Sequence, residues 1–586
     1  MQRLGRVILI ILASLGGLFV FSIIGLSLGL SHIFSEHGRT SSLPDEMVVV
    51  IDLEIGINEN ASPSGMGIIS KGNHGYDLRK VISGIEAAAK DPKVKSLLLK
   101  LGNSGMSMSH AQELRAALAK FKKEGKTTAA FAESFGEGGS GVIDFYLASA
   151  MDKIWLQPSG VVAIGGFMLE SPFLKGLLDK IGVKPSFERR HEYKSAPEMF
   201  TAEKFSPEAK ESLHGLLKSW LSQVQEGIGE GRKLTPEALQ NVIDNSPYLP
   251  EEALKLGLVD KLAYRDEVEE DALGEGDAEF IDIEDYQDRR PKKGGAKHKI
   301  ALIQVNGNIV SGPSDDWNQK EMSGADTIVD AIKEAVEDEE IKAIVLRIDS
   351  PGGSYSAADA IHRAVLNARE QGKPVIASLG ETAASGGYFA AMAANKIIAN
   401  PGTIAGSIGV FSGKMVLTGL WEKLGVGWDE VHIGQNAGMW SANRDFTPQA
   451  KAKLGKILDQ VYADFTNKAA LARNLSPAEI DKAARGRVFT GKEALDIRLI
   501  DQLGGFREAL NEAKKEAEIP ENERVALVIL PHPQGPLQTV LAMLKGGGAG
   551  LGLLSDFNSW ARPLLSHIPS PRLRGTLLLW QPESLQ

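Results

Sequence analysis

The hydrophobic pattern of this chain passes through one series of elements and then through it again. A strand-like MVVVIDLEI opens the first series and HKIALIQVNG opens the second. Each leads into a helical pattern and then an apolar run, KSLLLKLG (Lys95 to Gly102) and KAIVLRID (Lys342 to Asp349). Unbroken apolar runs of this length fit strands covered on both faces. A Gly/Ser loop follows in both, then an amphipathic helix (AQELRAALAKFKKEG, AADAIHRAVLNAREQG), a further strand and a helix of small residues. Strands alternating with helices predict an α/β fold, largely parallel and repeated in tandem.

The pattern sets a first repeat over residues 47–287 and a second over 300–531, joined by a basic, Gly/Pro-containing linker over 288–299 (DRRPKKGGAKHK). Residues 532–586 repeat nothing upstream and are rich in Gly, Leu, Pro and Trp. They read as a loosely ordered tail or as an interfacial segment lying on a membrane.

Before the repeats, residues 7–30 form an uncharged run of 24 residues. At about 1.5 Å per residue this crosses a hydrocarbon core roughly 30 Å thick. Arg3 and Arg6 precede it, so residues 1–6 are expected in the cytoplasm and the repeats outside it. A cleaved signal peptide is the competing reading, but the run is long for one and LSLGLSHIF is a poor cleavage site.

Composition narrows the chemistry. The net charge of −10 and the lack of a basic face argue against nucleic acid. With no cysteine, thiolate metal sites, disulfides and cysteine nucleophiles are excluded. No HExxH or paired-histidine spacing occurs, so neither metal nor cofactor is implied. Gly136-Glu137-Gly138-Gly139-Ser140-Gly141 spells a dinucleotide fingerprint but lacks its acidic partner, and the second repeat spells it differently.

The repeats diverge where chemistry is expected. In the arm LLDKIGVKPSFERRHEYKSA, His191 falls on His432, Ala196 on Ala437 and Lys194 on Gln435 of the second repeat. AMDKIWLQPSGVVAIGGFM aligns with AANKIIANPGTIAGSIGVF, so Ser407 falls on Ile164. One repeat keeps a lysine without the serine and the other a serine without the lysine. Ser and Lys together make a nucleophile and base, so the halves look like parts of one site. Ser385 in Ala-Ser-Gly-Gly-Tyr competes with Ser407, since it too is absent from the first repeat, where Val142 stands. A lysine base must be neutral near pH 7, which takes burial or a cationic neighbour, and Arg189, Arg190 and His191 are close in sequence. Both repeats keep the histidine of the arm, which makes it structural. The turn Asp349-Ser350-Pro351-Gly352-Gly353-Ser354, between strand and helix, can aim N–H groups at an oxyanion, or can simply be a tight turn. Ile408, following Ser407, could supply a second N–H donor.

DSPGGS, ETAASGGYFAAMAANKIIANPGTIAGSIGVF and LLDKIGVKP…YKSA together resemble the signal peptide peptidase A family in its long tandem-repeat form. The resemblance implies a crotonase-like fold of the kind used by caseinolytic protease subunits, in two tandem copies. It implies Ser407 as nucleophile, Lys194 as general base, and Gly353 in the oxyanion hole. It further implies an ATP-independent serine endopeptidase, anchored in the bacterial inner membrane with its repeats on the periplasmic side. Its expected partners are remnant signal peptides, membrane lipid and other copies of itself in a dome-shaped tetramer. Two other readings stay open: acyl-CoA hydratase chemistry on the same fold, and a scaffold whose site has decayed.

Overall fold

The computed structural model describes residues 42–59, 75–291, 294–314 and 322–532. The expected anchor at 7–30 and nearly all of the tail at 532–586 lie outside the described residues. Among the described residues no helix is long and apolar enough to cross a membrane.

The two series of elements build two sheets. The first has six parallel strands in the order Lys261–Leu262, Lys153–Leu156, Thr127–Ala132, Val94–Leu101, Met47–Asp52 and Glu279–Asp282. The second has nine strands, with Met322–Gly324, His298–Val310, Ile341–Gly353, Val375–Ala384, Lys396–Ala399 and Gln502–Leu503 along its main path. Ile404–Gly406 extends Val375–Ala384 in parallel and takes Val488–Thr490 antiparallel on its other side. The mixed α/β architecture agrees with the alternating pattern.

Both sheets are covered on both faces, which is why their central strands read as unbroken apolar runs. In Val94–Leu101, Leu97 and Leu99 point into the main first core, while Leu98 packs with Val48, Phe131, Trp155 and Val268 on the other face. The second sheet does the same: Ile344 and Leu346 face one core, and Ala343 and Val345 meet Phe506, Leu510 and Ala513 of the helix Phe506–Glu516. The helix Ile283–Arg289 and the strand from His298 take up the ends of the expected linker.

A long helix in each half, Pro207–Arg232 and Pro448–Arg473, begins in the same way. Ser206 and Thr447 accept from the N–H three residues on, and proline follows each cap where its missing N–H costs nothing.

The halves also exchange a strand. Lys184–Arg189 of the first half pairs antiparallel with Phe411–Val416 of the second, Arg189 opposite Phe411 and Lys184 opposite Val416. Salt bridges Lys451–Glu188 and Arg190–Asp459 fasten the arm to the helix Pro448–Arg473. The side chain that the first half carries into the second is Lys194.

Candidate active site

Lys194 is 5% exposed, and its Nζ lies 2.9 Å from Ser407 Oγ, 3.0 Å from the Ser407 carbonyl oxygen and 3.1 Å from Ser385 Oγ. Burial lowers its pKa to about 7, so a large share of the amine is neutral at physiological pH. None of the nearby cations from the sequence is responsible. The Arg189 guanidinium binds the Lys194 carbonyl (3.2 Å) and Glu198 (2.7 Å), which holds the arm in place. His191 packs on Tyr462, and His432 is exposed beside Glu430. Gly486 lets the arm come close: at φ +89°, a Cβ there would lie 2.5 Å from the Lys194 nitrogen.

The two serines stand on different supports. Ser385 ends the strand Val375–Ala384 and caps the helix Gly386–Ala391 with φ 52° and ψ −118°. Its N–H donates to the Gly406 carbonyl at 2.8 Å, and the side chain is partly accessible. A non-glycine residue in this conformation is strained, and strain of this kind collects at functional turns. Ser407 also has positive φ, 51°, but is 9% exposed, with its N–H donating to Arg487 O at 2.8 Å.

The Pro-Gly-Gly turn lies beside Ser385. A Cβ on Gly352 would come within 2.7 Å of the Gly386 nitrogen and 2.8 Å of Ser385 Cβ, and one on Gly353 would overlap the Ile309 carbonyl oxygen. Gly352 donates its N–H to Ser350 Oγ at 3.1 Å. Gly353 N lies 3.2 Å from where a Gly386 Cβ would be, so these two backbones meet next to the Ser385 side chain. Gly386 opens a helix, so its N–H has no partner within that helix. Ile408 is buried, and its carbonyl accepts from Gly486 N–H at 2.8 Å.

A buried ionic network beneath the turn was not expected from the sequence. Arg347, fully buried two residues before Asp349, pairs with Glu59 and, at 2.7 Å, with Glu113, both from the first half. Glu113 also accepts from Asn400 (3.0 Å) and from the Phe506 N–H (3.1 Å). His110 bonds Glu59 at 3.0 Å; burial works against its charge, but this bond raises its pKa to about 9. Burial, then the charge of Asp349, pushes Glu381 up to about 7. The one signal in the sequence was a charge, Arg347, in the middle of an apolar strand. Among the described residues no group of side chains is arranged to hold a metal ion.

Comparison with known proteins places these features in context. The model of Peptidase family S49 matches the chain twice, over residues 120–276 and 367–520. The chain is 32% identical over 504 residues to "Serine protease SPPA, chloroplastic" of Arabidopsis thaliana, covering 83% of this chain and 73% of the relative. It is also 32% identical over 513 residues to "Protease 4" of Haemophilus influenzae, covering 82% and 81%. Among solved structures, a ClpP1 mutant from Listeria monocytogenes aligns at 16% identity over 36% of this chain and 94% of that one, with a TM-score of 0.24.

Proposed function

This chain belongs to peptidase family S49 as a tandem-repeat serine protease of the signal peptide peptidase A type, and from that premise we propose that Lys194 and Ser385 form its catalytic dyad. The observation that carries the proposal is the set of three contacts around Lys194 Nζ. A neutral amine has two N–H donors and one lone pair. The Ser407 carbonyl can only accept, so it takes one N–H. Of the two hydroxyls, one then accepts the second N–H and the other gives its proton to the lone pair. Ser385 suits the second role, because it is the more accessible and stands beside the Gly353–Gly386 amides. Ser407, the nucleophile expected from the sequence, becomes the residue that orients the amine. Ile408, which follows Ser407, has no place in the proposed oxyanion hole; Gly353 is kept and Gly386 takes the second donor position.

The steps follow from these positions. Neutral Lys194 takes the Ser385 proton as Oγ attacks the peptide carbonyl. The N–H groups of Gly353 and Gly386 hold the oxyanion. Lys194 then gives its proton to the leaving amine, which departs and leaves an acyl-enzyme. Water, losing a proton to Lys194, attacks the ester, and Lys194 returns that proton to Ser385 Oγ as the peptide acid leaves, which restores both groups.

The proposed substrates are remnant signal peptides, cut by an enzyme anchored through residues 7–30 in a bacterial inner membrane with both repeats on the periplasmic side. Each half is proposed to carry a crotonase-like fold, and copies of the chain to assemble into a homo-oligomer. The family and the Lys–Ser contacts do not favour the hydratase or decayed-scaffold readings. The test is digestion of synthetic signal peptides in detergent micelles without ATP, followed by mass spectrometry. Cleavage within the apolar segments is expected; activity confined to folded soluble proteins would overturn the substrate assignment.

A further inference from the structure

The arm that carries Lys194 is met in the second half by the segment Arg485-Gly486-Arg487. The backbone of this segment holds the Ser407 turn: the Ser407 N–H donates to the Arg487 carbonyl and the Gly486 N–H to the Ile408 carbonyl, both at 2.8 Å. Its side chains hold the arm. Arg485 donates to both carboxylate oxygens of Glu192, from Nε at 2.8 Å and from Nη2 at 3.0 Å. The Arg487 guanidinium lies 4.1 Å over the Tyr193 ring and donates to Glu211 at 2.8 Å. Glu211 also accepts from the Tyr193 hydroxyl at 3.0 Å. Glu192 and Tyr193 are the two residues before Lys194.

Stability does not explain this clasp. The Arg485 and Glu192 side chains are 36% and 35% exposed, and ion pairs that wet add little to folding. A two-pronged arginine–carboxylate bond, however, fixes direction as well as distance. The repeat separates the two roles. The bridge Val162–Tyr248 of the first half repeats the pair Ala405–Phe489, which sets Asp244-Asn245-Ser246 against Arg485-Gly486-Arg487. The turn is held there as well, since the Ile164 N–H donates to Ser246 Oγ at 2.7 Å. It is held without either arginine or the close-approach glycine. On the other arm, with Lys194 on Gln435, Glu192 falls on Ile433 and Tyr193 on Gly434. The parts of the clasp are absent wherever the parts of the dyad are absent.

We infer that Arg485 and Arg487 are positioning residues for the catalytic amine, gripping Glu192 and Tyr193 so that Lys194 Nζ is delivered within hydrogen-bonding distance of Ser385 and Ser407. The inference rests on the reading of Lys194 as the base. One short segment fixes the Ser407 backbone and the approach of the lysine together, so a shift of the arm against the turn requires one of these bonds to open. The backbone carries strain at the same place: Arg485 and His191 have φ of 61° and 65°, values that non-glycine residues disfavour. Tyr462 joins these two residues, its ring 4.4 Å from that of His191 and its hydroxyl accepting the Arg485 N–H at 3.2 Å.

The test uses the full chain in detergent with a synthetic signal peptide as substrate. Arg485→Gln and Glu192→Gln should each lower kcat about tenfold with KM little changed. The double variant should lower it no further, because either change opens the same bond. The midpoint of the pH–rate profile should move up from about 7 as the loosened amine gains water. Arg485→Lys, which keeps the charge and loses the fork, should recover part of the rate. Arg487→Gln opens the separate grip on Tyr193 and should move kcat and midpoint in the same directions. Melting temperatures should stay within about 2 °C of wild type. Wild-type kcat and midpoint in the arginine variants, an additive double variant, or a rate that falls only with the melting temperature while the midpoint stays put would each overturn the inference. Failure of the dyad reads differently. Lys194→Met would then keep wild-type activity and take the inference with it, whereas a failed clasp leaves Lys194→Met inactive and only the arginine variants indifferent.

Discussion

Lys194 Nζ lies 3.1 Å from Ser385 Oγ although 191 residues separate them. The first half delivers a buried amine and the second half supplies both hydroxyls, so the cluster needs both halves.

Activity should follow the amine. With a pKa near 7, kcat/KM should rise as pH increases through about 7 and then level off, the neutral form being the base. Lys194→Arg should be inactive, since guanidinium stays protonated. Stability should show the opposite of a useful residue. Between pH 7 and 10.5 the unfolded chain binds a proton that native Lys194 has released, so stability rises with pH across that window. Lys194→Met removes the burden and should raise the melting temperature at pH 7, an advantage that shrinks towards pH 10.5. A variant destabilised at pH 7 would argue against a desolvated amine.

Gly486→Ala should act through the arm. The new Cβ would press on the Lys194 backbone at 2.5 Å, on a φ of +89° that alanine disfavours. Activity should fall by at least about tenfold, the effect of roughly 1.4 kcal/mol in the barrier. The pH profile should shift upward as Lys194 gains water. An unchanged profile with normal rates would mean the arm does not need this close approach.

Glu113→Gln should weaken the joint between the halves. Breaking a buried pair leaves Arg347 under-compensated and costs about 3 kcal/mol. The urea midpoint of the first unfolding transition should fall, with faster proteolysis between the halves. An unmoved midpoint would show that Glu59 alone satisfies Arg347.

The sequence showed the repeat, the strands buried on both faces, and the split of lysine from serine, because each is a local pattern or a comparison of two local patterns. That split implies a site shared by the halves, and the lysine does make its hydrogen bonds in the second half, but nothing in the sequence shows the strand that carries it there. Which partner a strand takes is a tertiary property, and KPSFER, with a proline and little apolar alternation, does not announce an exchanged strand. The choice between Ser385 and Ser407 was equally hidden. Both serines are absent from the first repeat, and the proposal of Ser385 rests on its accessibility and its place beside the Pro-Gly-Gly turn. The ionic network escaped notice because Glu59, His110 and Glu113 are unremarkable until folding sets them against Arg347.

The central claim is that Ser385 attacks and Ser407 orients the base. Ser385→Ala should lower the rate by about a thousandfold or more. Ser407→Ala, losing one hydrogen bond of about 1 kcal/mol, should cost only about fivefold. The most direct measurement is the site of covalent modification. The full chain is treated with a serine-directed phosphonate and digested, and the modified peptide is identified by mass spectrometry. The account predicts an adduct on Ser385 that persists in Ser407→Ala and disappears in Lys194→Arg; an adduct on Ser407 that survives Ser385→Ala would contradict it.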